Sequence, residues 1–274
     1  MHTAGQRMRT KIKTTVKKSG DAIASLLFPT RCPVCDDILE PEEIEKGIHL
    51  FCESKIYPIQ GAVCMHCGKP LVSTSKEFCY DCQRKKRNFT QAKSLYTYRG
   101  VIKHTMYKFK YSNKREYAKF FAKQAVERLG WWLGLESSHD QAPSHMQSSL
   151  HHAFSCPDVI IPVPMYEPKK RARGYNQAES LAEELSRLTG IPVDKKIVKR
   201  VKDTTPQKTL NPEERKNNLK SAFQTEKNSV QYIHALIVDD IYTTGSTAEA
   251  VAQELIKKGV RQVRVLTVCI GDDM

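Results

Sequence analysis

Two adjacent carboxylates followed by a hydroxyl-rich turn are the residues of this sequence best suited to chemistry. Asp239 and Asp240 end the apolar stretch ALIVDD, and the segment TTGST, residues 243–247, follows two residues later. Carboxylates bind sugar hydroxyls or a hard cation such as Mg²⁺, whereas unpaired N–H groups at a helix start bind phosphate. The pattern therefore predicts a site for a phosphorylated sugar that carries a diol and a divalent metal.

The alternative is that these residues only cap a helix. Ser246 and Thr247 beside an acid pair would also suit an ordinary helix N-cap. The order of strand, acid pair, TTGST turn and helix favours phosphate binding, because ligands of an open parallel sheet lie beyond the carboxyl ends of its strands. At such a strand end, Asp239 and Asp240 are expected to be exposed.

The elements that must position these residues alternate along the second half of the chain. The predicted strands are DVIIPVP, KKIVKRV, ALIVDD and QVRVLTVCI, and the predicted helices are NQAESLAEELSRLTG and STAEAVAQELIKKG. Alternating strands and helices predict right-handed crossovers and a mostly parallel sheet covered on both faces.

The segment around the acid pair resembles the signature of type I phosphoribosyltransferases, which bind phosphoribosyl pyrophosphate (PRPP). IIPVPMYEPKKRARGYNQAESLA and TTPQKTLNPEERKNNLKSAF are similar to segments of one branch, the ComF (ComFC-like) competence proteins. The likeness covers about residues 27–270. It implies an α/β fold, a type I phosphoribosyltransferase-like parallel sheet flanked by helices, with a small N-terminal zinc-ribbon domain.

The resemblance also implies a function and roles for single residues. The acid pair would hold the ribose hydroxyls of PRPP, or of a related sugar phosphate, with Mg²⁺. The expected 5′-phosphate cradle is Thr243, Thr244, Gly245, Ser246 and Thr247. The expected function is that of a PRPP-binding protein assisting uptake or handling of single-stranded DNA in natural transformation, alongside DNA-uptake machinery proteins. An active phosphoribosyltransferase with an unidentified acceptor is the alternative.

Two basic or polar segments add candidate pyrophosphate contacts. KKRARGYNQ lies between a predicted strand and a predicted helix, and guanidinium groups match phosphate oxygens well. By the same resemblance, the long segment from Lys202 to Asn218 corresponds to a loop that closes over substrate. A solvated basic loop and a merely mobile surface loop are the alternatives. The candidate contacts are Arg171, Arg173, Gly174, Gln207, Arg215 and Asn218.

Cysteine spacing predicts two structural zinc sites. Seven of the nine cysteines lie between positions 32 and 82, mostly in CxxC pairs. Four thiolates, or three and one imidazole, form a closed tetrahedral zinc site. The predicted ligands are Cys32, Cys35, His49 and Cys52, then Cys64, Cys67, Cys79 and Cys82. His49 stands where the family usually has cysteine. Sequential pairing is expected, although spacing leaves cross-bracing open.

Composition sets the broader expectations. The net charge of +14 over 274 residues predicts an anionic partner, and no apolar run approaches the roughly 20 residues of a membrane-spanning helix. Because the cysteine spacing indicates metal binding and not disulfides, a reduced, cytoplasmic setting is expected. The predicted divisions are a basic tail at 1–27, a double zinc ribbon at 28–83 and a phosphoribosyltransferase-like domain at 84–274, with a polar loop at about 134–157.

A basic and aromatic stretch follows the cysteines. From Arg84 to Lys123 there are thirteen Lys or Arg residues and one acid, Glu116, with nine interleaved aromatic residues. Basic residues follow a nucleic-acid backbone, and exposed aromatics stack on bases. The alternatives are a solvated charged face and a strand and a helix that bury the aromatics.

This stretch is predicted to bind single-stranded DNA without sequence preference. Reversing Lys85, Lys86 and Arg87 to glutamate should weaken binding to every sequence alike, because phosphate contacts carry no sequence information. Affinity should fall with salt at a log–log slope of about −0.7 per neutralised phosphate. Fluorescence anisotropy across a salt titration measures both effects, and unchanged affinity after charge reversal would remove this segment from DNA binding.

Overall fold

The chain forms two compact units, Met1–Ser54 and Lys55–Met274. The structure is a computed structural model that describes residues 29–135, 155–202, 222–225 and 231–271. The expected basic tail, and most of the polar loop expected at 134–157, lie outside the described residues. The predicted domain boundaries after residues 27 and 83 stay a prediction.

The first unit, where it is described, is built around cysteines. A one-turn helix, α1, spans Leu50–Glu53, and an antiparallel bridge joins Arg31 to Ile38. Cys32 and Cys52 are completely buried. A segment of this size has little apolar surface to bury, and small domains of this kind commonly depend on a bound metal.

A parallel sheet forms the centre of the second unit. Its strands are β1 Gln91–Thr97, β2 Val159–Pro162, β5 His234–Tyr242 and β6 Gln262–Ile270. They lie in the order β1-β6-β5-β2, and every neighbouring pair is parallel. A separate antiparallel pair is formed by β3 Val198–Arg200 and β4 Phe223–Thr225.

Helices flank this sheet. They are α2 Tyr80–Arg84, α3 Gly100–Tyr111, α4 Tyr117–Leu133, α5 Glu167–Arg173, α6 Gln177–Thr189 and α7 Ser246–Lys257. Helix α6 packs against α4, β2 and β5, and α7 packs against β5 and β6. The predicted parallel sheet flanked by helices is therefore confirmed.

The sequence explains why these elements form where they do. Residues 235–238 of β5 and 263–270 of β6 are buried throughout, as expected for strands covered on both faces. Helix α6 begins at Asn176, whose side chain accepts a hydrogen bond from the Ala178 N–H at 3.1 Å. It ends at Gly190, which has the left-handed φ of 75° that favours glycine.

Two elements differ from the sequence prediction. Strand β5 continues to Tyr242, so Asp239 and Asp240 lie within it and are partly buried, not exposed at its end. Part of the basic segment after β2, for which no helix was predicted, forms the short helix α5. Pro168 in its first turn has no N–H to leave unpaired, which favours a helix start there.

The second cysteine group packs directly on the edge strand β1. The Ala92 N–H donates a hydrogen bond to the His66 carbonyl at 2.7 Å, and the Gln91 amide donates to the Met65 carbonyl at 2.8 Å. Gly68 lies so close that a Cβ there would be 2.7 Å from the Ala92 oxygen. The ribbon is thus part of the same packed unit as the sheet.

We predict that Gly68→Ala destabilises the protein more than Gly61→Ala does. Both glycines have left-handed φ angles, of 73° and 77°, but a Cβ on Gly61 would meet nothing within 4 Å. Gly61→Ala should cost only the backbone strain, about 1–2 kcal/mol. Gly68→Ala should also force the ribbon away from β1 and lower the Tm further. Equal Tm values for the two variants, measured by differential scanning calorimetry, would contradict this close packing.

Candidate ligand site and metal centres

The acid pair on β5 lies beside a lysine from a different helix. Lys110 Nζ on α3 is 3.1 Å from Asp240 Oδ2, and the two side chains are 20% and 14% exposed. Burial and the neighbouring Asp240 carboxylate raise the pKa of Asp239 to about 7. Burial lowers the pKa of Lys110, but attraction to Asp240 outweighs it and raises this pKa overall. Two adjacent carboxylates in a partly buried place require a cation, and Lys110 supplies one.

The hydroxyl turn follows at the carboxyl end of the same strand. Thr243, Thr244 and Ser246 are exposed, and Gly245 is the N-cap of α7 with φ 73°. Thr244 Oγ1 and Ser246 Oγ share a hydrogen bond of 2.7 Å. Exposed hydroxyls therefore stand where the backbone N–H groups of α7 have no helical partner, which is the arrangement that binds phosphate.

Gly245 is required by its surroundings as well as by its backbone conformation. A Cβ at this position would lie 2.1 Å from the Tyr242 hydroxyl oxygen and 2.4 Å from the ring carbon that carries it. Tyr242 is 5% exposed. The turn therefore closes tightly over a buried ring, and no larger residue fits at Gly245 without moving it.

Arg173, on helix α5, contacts residues of the two neighbouring helices α3 and α6. Arg173 Nη1 donates to Gln177 Oε1 at 2.8 Å, and its guanidinium lies 4.9 Å from the centre of the Tyr111 ring. Tyr111 directly follows Lys110 on α3. Arg171 is exposed. Gly174 ends α5 with φ 85°.

The other three candidate pyrophosphate contacts belong to the segment between β3 and β4. Gln207, Arg215 and Asn218 lie outside the described residues. Strands β3 and β4 flank that segment, and the positive charge of Arg200 on β3 acts to lower the pKa of Asp239. The strand that precedes the expected substrate loop therefore lies close enough to Asp239 to influence its charge.

The first metal centre has three thiols and one imidazole. Ligand atoms of the four predicted residues lie within 4.8 Å of one another: Cys32, Cys35, His49 and Cys52. Cys35 Sγ is 3.3 Å from His49 Nδ1, and His49 Nε2 is 3.0 Å from the Ile38 carbonyl oxygen. A proton on Nε2 donated to this carbonyl leaves the Nδ1 lone pair for a metal. The orientation of the His49 imidazole is therefore suitable for a zinc ligand.

The second metal centre consists of four thiols. Ligand atoms of Cys64, Cys67, Cys79 and Cys82 lie within 4.8 Å of one another. The 3.6 Å between Cys67 Sγ and Cys79 Sγ is close to the roughly 3.8 Å expected between sulfurs in a tetrahedral zinc site. A hydrogen bond with Cys67 lowers the pKa of Cys64 to about 4, while burial raises that of Cys82 to about 12.

Four thiols this close together are suited to binding a metal cation, because the bound cation stabilises the thiolate form of each cysteine. Both groups pair sequentially, as expected, and are not cross-braced. Because no coordination position is left for another ligand, zinc here would act structurally.

Two family models match the chain. The double zinc ribbon domain matches residues 23–83, and the phosphoribosyl transferase domain matches residues 152–273. The first range contains both groups of metal-binding residues. The second contains the acid pair, the hydroxyl turn and α5.

Relatives with known names match most of the chain, between 76% and 87% of its length. Competence protein F of Haemophilus influenzae is 32% identical over 240 residues, which are 87% of this chain and 96% of that protein. The chain belongs to the competence protein F family. Another relative, competence protein ComFC of Bacillus subtilis, is 28% identical over 81% of this chain and 82% of its own length. DNA utilization protein YhgH of Escherichia coli is 32% identical over 76% of this chain and 83% of its own.

A solved structure also aligns with part of this family member. The purine phosphoribosyltransferase from Pyrococcus horikoshii covers 42% of this chain and 61% of its own at 25% identity, with a TM-score of 0.26. This TM-score is too low to support a fold assignment. The assignment depends on the order of the strands in the sheet and on the match to the phosphoribosyl transferase domain. Among the helices in the described ranges, none has both the length and the apolar character to cross a membrane.

Two basic residues of the charged stretch after the cysteines have specific partners in the structure, which their sequence positions did not indicate. Lys110 pairs with Asp240, and Arg87 Nη2 donates to the Thr244 carbonyl at 3.0 Å. Both contacts join residues far apart in the chain. Spacing along one segment carries no information about such contacts, so only the folded arrangement could identify them.

The aromatic residues of the basic stretch differ in their burial. Those buried in the core are Phe89, Tyr96, Phe109, Tyr117, Phe120 and Phe121, and Tyr98 is partly buried. Tyr107 and Tyr111 are exposed, and their ring centres lie 5.1 Å apart on α3. The alternative that the aromatics are core residues is therefore correct for the first group, and base stacking stays a hypothesis for the second.

We predict that Asp239→Asn stabilises the protein at pH 8 more than at pH 5. A folded pKa of about 7 lies above the ordinary value of 3.8, so the folded state retains a proton that the unfolded state loses. Stability is therefore lost as the pH rises from about 4 to 7. Asparagine removes this cost, which is largest at pH 8, and should raise the Tm by several degrees there. An equal Tm change at both pH values, without added magnesium, would contradict the raised pKa.

Proposed function

We propose that this protein binds PRPP with Mg²⁺ at the carboxyl end of β5. The observation that carries the proposal is the acid pair followed on the same strand by the exposed hydroxyl turn at the start of α7. Asp239 and Asp240 would hold the ribose hydroxyls, and residues 243–247 would bind the 5′-phosphate. The phosphoribosyl transferase domain match supports this assignment.

Basic residues near the acid pair suit the pyrophosphate group. The Arg173 guanidinium lies over the ring of Tyr111 on α3. Lys110, the residue before Tyr111, forms an ion pair with Asp240. Mg²⁺ bound with PRPP would supply positive charge to the pyrophosphate oxygens. When the ribose hydroxyls engage Asp240, the Lys110 ammonium would be released toward the anionic part of the ligand. We propose Arg171, Gly174, Gln207, Arg215 and Asn218 as further contacts, as the resemblance implies.

The cellular role that we propose is handling of single-stranded DNA during natural transformation, in a reduced cytoplasmic setting. Relatives carry the names competence protein F and DNA utilization protein, and the +14 net charge supports attraction to a polyanion. DNA-uptake machinery proteins are the partners expected of such a role. The alternative function, an active phosphoribosyltransferase, depends on the same site, and pyrophosphate release in a screen of nucleophiles would separate the two.

We predict that Asp239→Asn/Asp240→Asn abolishes PRPP binding. Both acids are partly buried, so asparagine is preferred to alanine because it preserves side-chain volume. Isothermal titration with PRPP and Mg²⁺ should give heat for the wild type and none for the double variant. The reason would be that each asparagine replaces one acceptor oxygen by an amide donor and removes the negative charge that strengthens hydrogen bonds from the ribose hydroxyls.

A matched control is available on α6. Glu183→Gln/Glu184→Gln also removes two adjacent charges, but these acids pair with Lys195 and Arg187 on the surface. This control should bind PRPP as the wild type does. Retained affinity in the Asp239/Asp240 variant would exclude the proposed site.

The structure sharpens the DNA-binding test. Arg87 holds the hydroxyl turn, so its reversal would disturb the PRPP site as well. Lys85 and Lys86 are exposed and can be reversed to glutamate by themselves. Lys257→Glu/Lys258→Glu, at the end of α7, is the control with the same charge change elsewhere. If both pairs weaken DNA binding equally, the effect comes from net charge and not from this segment.

A further inference from the structure

The segment between the second metal centre and β1 contacts the proposed phosphate turn. Arg87 comes five residues after the ligand Cys82, and its guanidinium donates a hydrogen bond of 3.0 Å to the Thr244 carbonyl. This carbonyl belongs to the turn itself. Arg87 therefore fixes the backbone of the turn from the side of the metal centre.

The neighbouring residue makes a second connection to the same helix start. The Asn88 N–H donates to Glu249 Oε2 at 2.9 Å, and the Asn88 amide donates to the other carboxylate oxygen. The Glu249 N–H in turn donates to the Gly245 carbonyl at 2.9 Å. Two successive residues after the metal centre thus hold both the turn and the first turn of α7.

A third connection passes through the core. Phe89 meets the Tyr242 ring edge-on, with centres 6.3 Å apart, and both belong to the buried cluster that includes Cys64 and Cys67. The Tyr242 hydroxyl is buried and has no hydrogen-bond partner among the described residues. Its ring is the surface against which Gly245 closes. The turn therefore rests on a ring that packs with the metal-binding cysteines.

We propose that the second zinc centre positions the phosphate-binding turn, with Arg87 and Tyr242 as the positioning residues. The proposal rests on the proposed function, in which this turn binds the 5′-phosphate. Because coupling between two binding sites is reciprocal in binding free energy, bound zinc strengthens PRPP binding and bound PRPP strengthens zinc binding at the second centre. We expect this stabilisation of the zinc-bound state to be measurable as slower zinc release. The first centre lies in the other unit and serves as an internal reference.

The test measures zinc release to a chromophoric chelator with and without PRPP and Mg²⁺. His49→Ala, which removes a ligand of the first centre, assigns the two release phases. Saturating PRPP should slow second-centre release at least about fivefold and leave first-centre release unchanged. In Arg87→Ala this slowing should be lost.

Arg84→Ala is the matched control. It removes the same charge three residues earlier, where the guanidinium lies 4.9 Å from the Tyr80 ring centre and Nη1 donates to the Tyr80 hydroxyl. This variant should retain the full slowing by PRPP. A purely electrostatic effect of the segment would reduce the slowing in both variants, and that result would overturn the positioning role of Arg87.

A ligand-free measurement separates this proposal from the proposed function. Amide hydrogen exchange in residues 242–247 should increase in Arg87→Ala, and also when zinc is removed from the wild type. If PRPP binds but zinc release is the same with and without it, coupling is overturned and the proposed function stands. If the wild type does not bind PRPP, the proposed function is overturned, and unchanged exchange in Arg87→Ala would overturn the positioning as well.

Discussion

The repulsion between two neighbouring carboxylates on one strand is the constraint around which the second unit is organised. Asp239 and Asp240 are partly buried, and burial together with mutual repulsion raises the pKa of Asp239 to about 7. A fold can hold such a pair only if positive groups converge on it. Lys110 comes from α3, and the N-terminus of α7 begins a few residues beyond. The positive groups that stabilise the acid pair would also attract the phosphate groups of a ligand to this site.

Much of the fold could be predicted because its elements obey local rules. Continuous apolar runs specified β2, β5 and β6, and glycine at position 190 specified the end of α6. The acid pair, hydroxyl turn and both cysteine groups were recognisable because their chemistry lies within short segments. The structure brings each of these groups together as spacing suggested, with His49 completing the first cysteine group.

Features that depend on contacts between distant segments could not be predicted. The pairing of Lys110 with Asp240 and the hydrogen bond from Arg87 to the Thr244 carbonyl each join two halves of the second unit. In the sequence, both basic residues belong to a stretch with thirteen positive charges, and nothing local distinguishes them. The short helix α5 was not among the predicted helices, because its seven residues are mostly charged and show no apolar periodicity.

The order of the sheet has a consequence for self-association of the protein. Strands β1 and β2 are its edges, and exposed edges recruit strands from other copies. A bridge from Pro58 to Tyr96, and the hydrogen bond from Ala92 to the cysteine-bearing segment, occupy β1, while Val193 lies against β2. Metal shortage that loosened the second ribbon would uncover backbone groups on β1. The second ribbon thus also covers an edge strand that could otherwise pair with another copy of the chain.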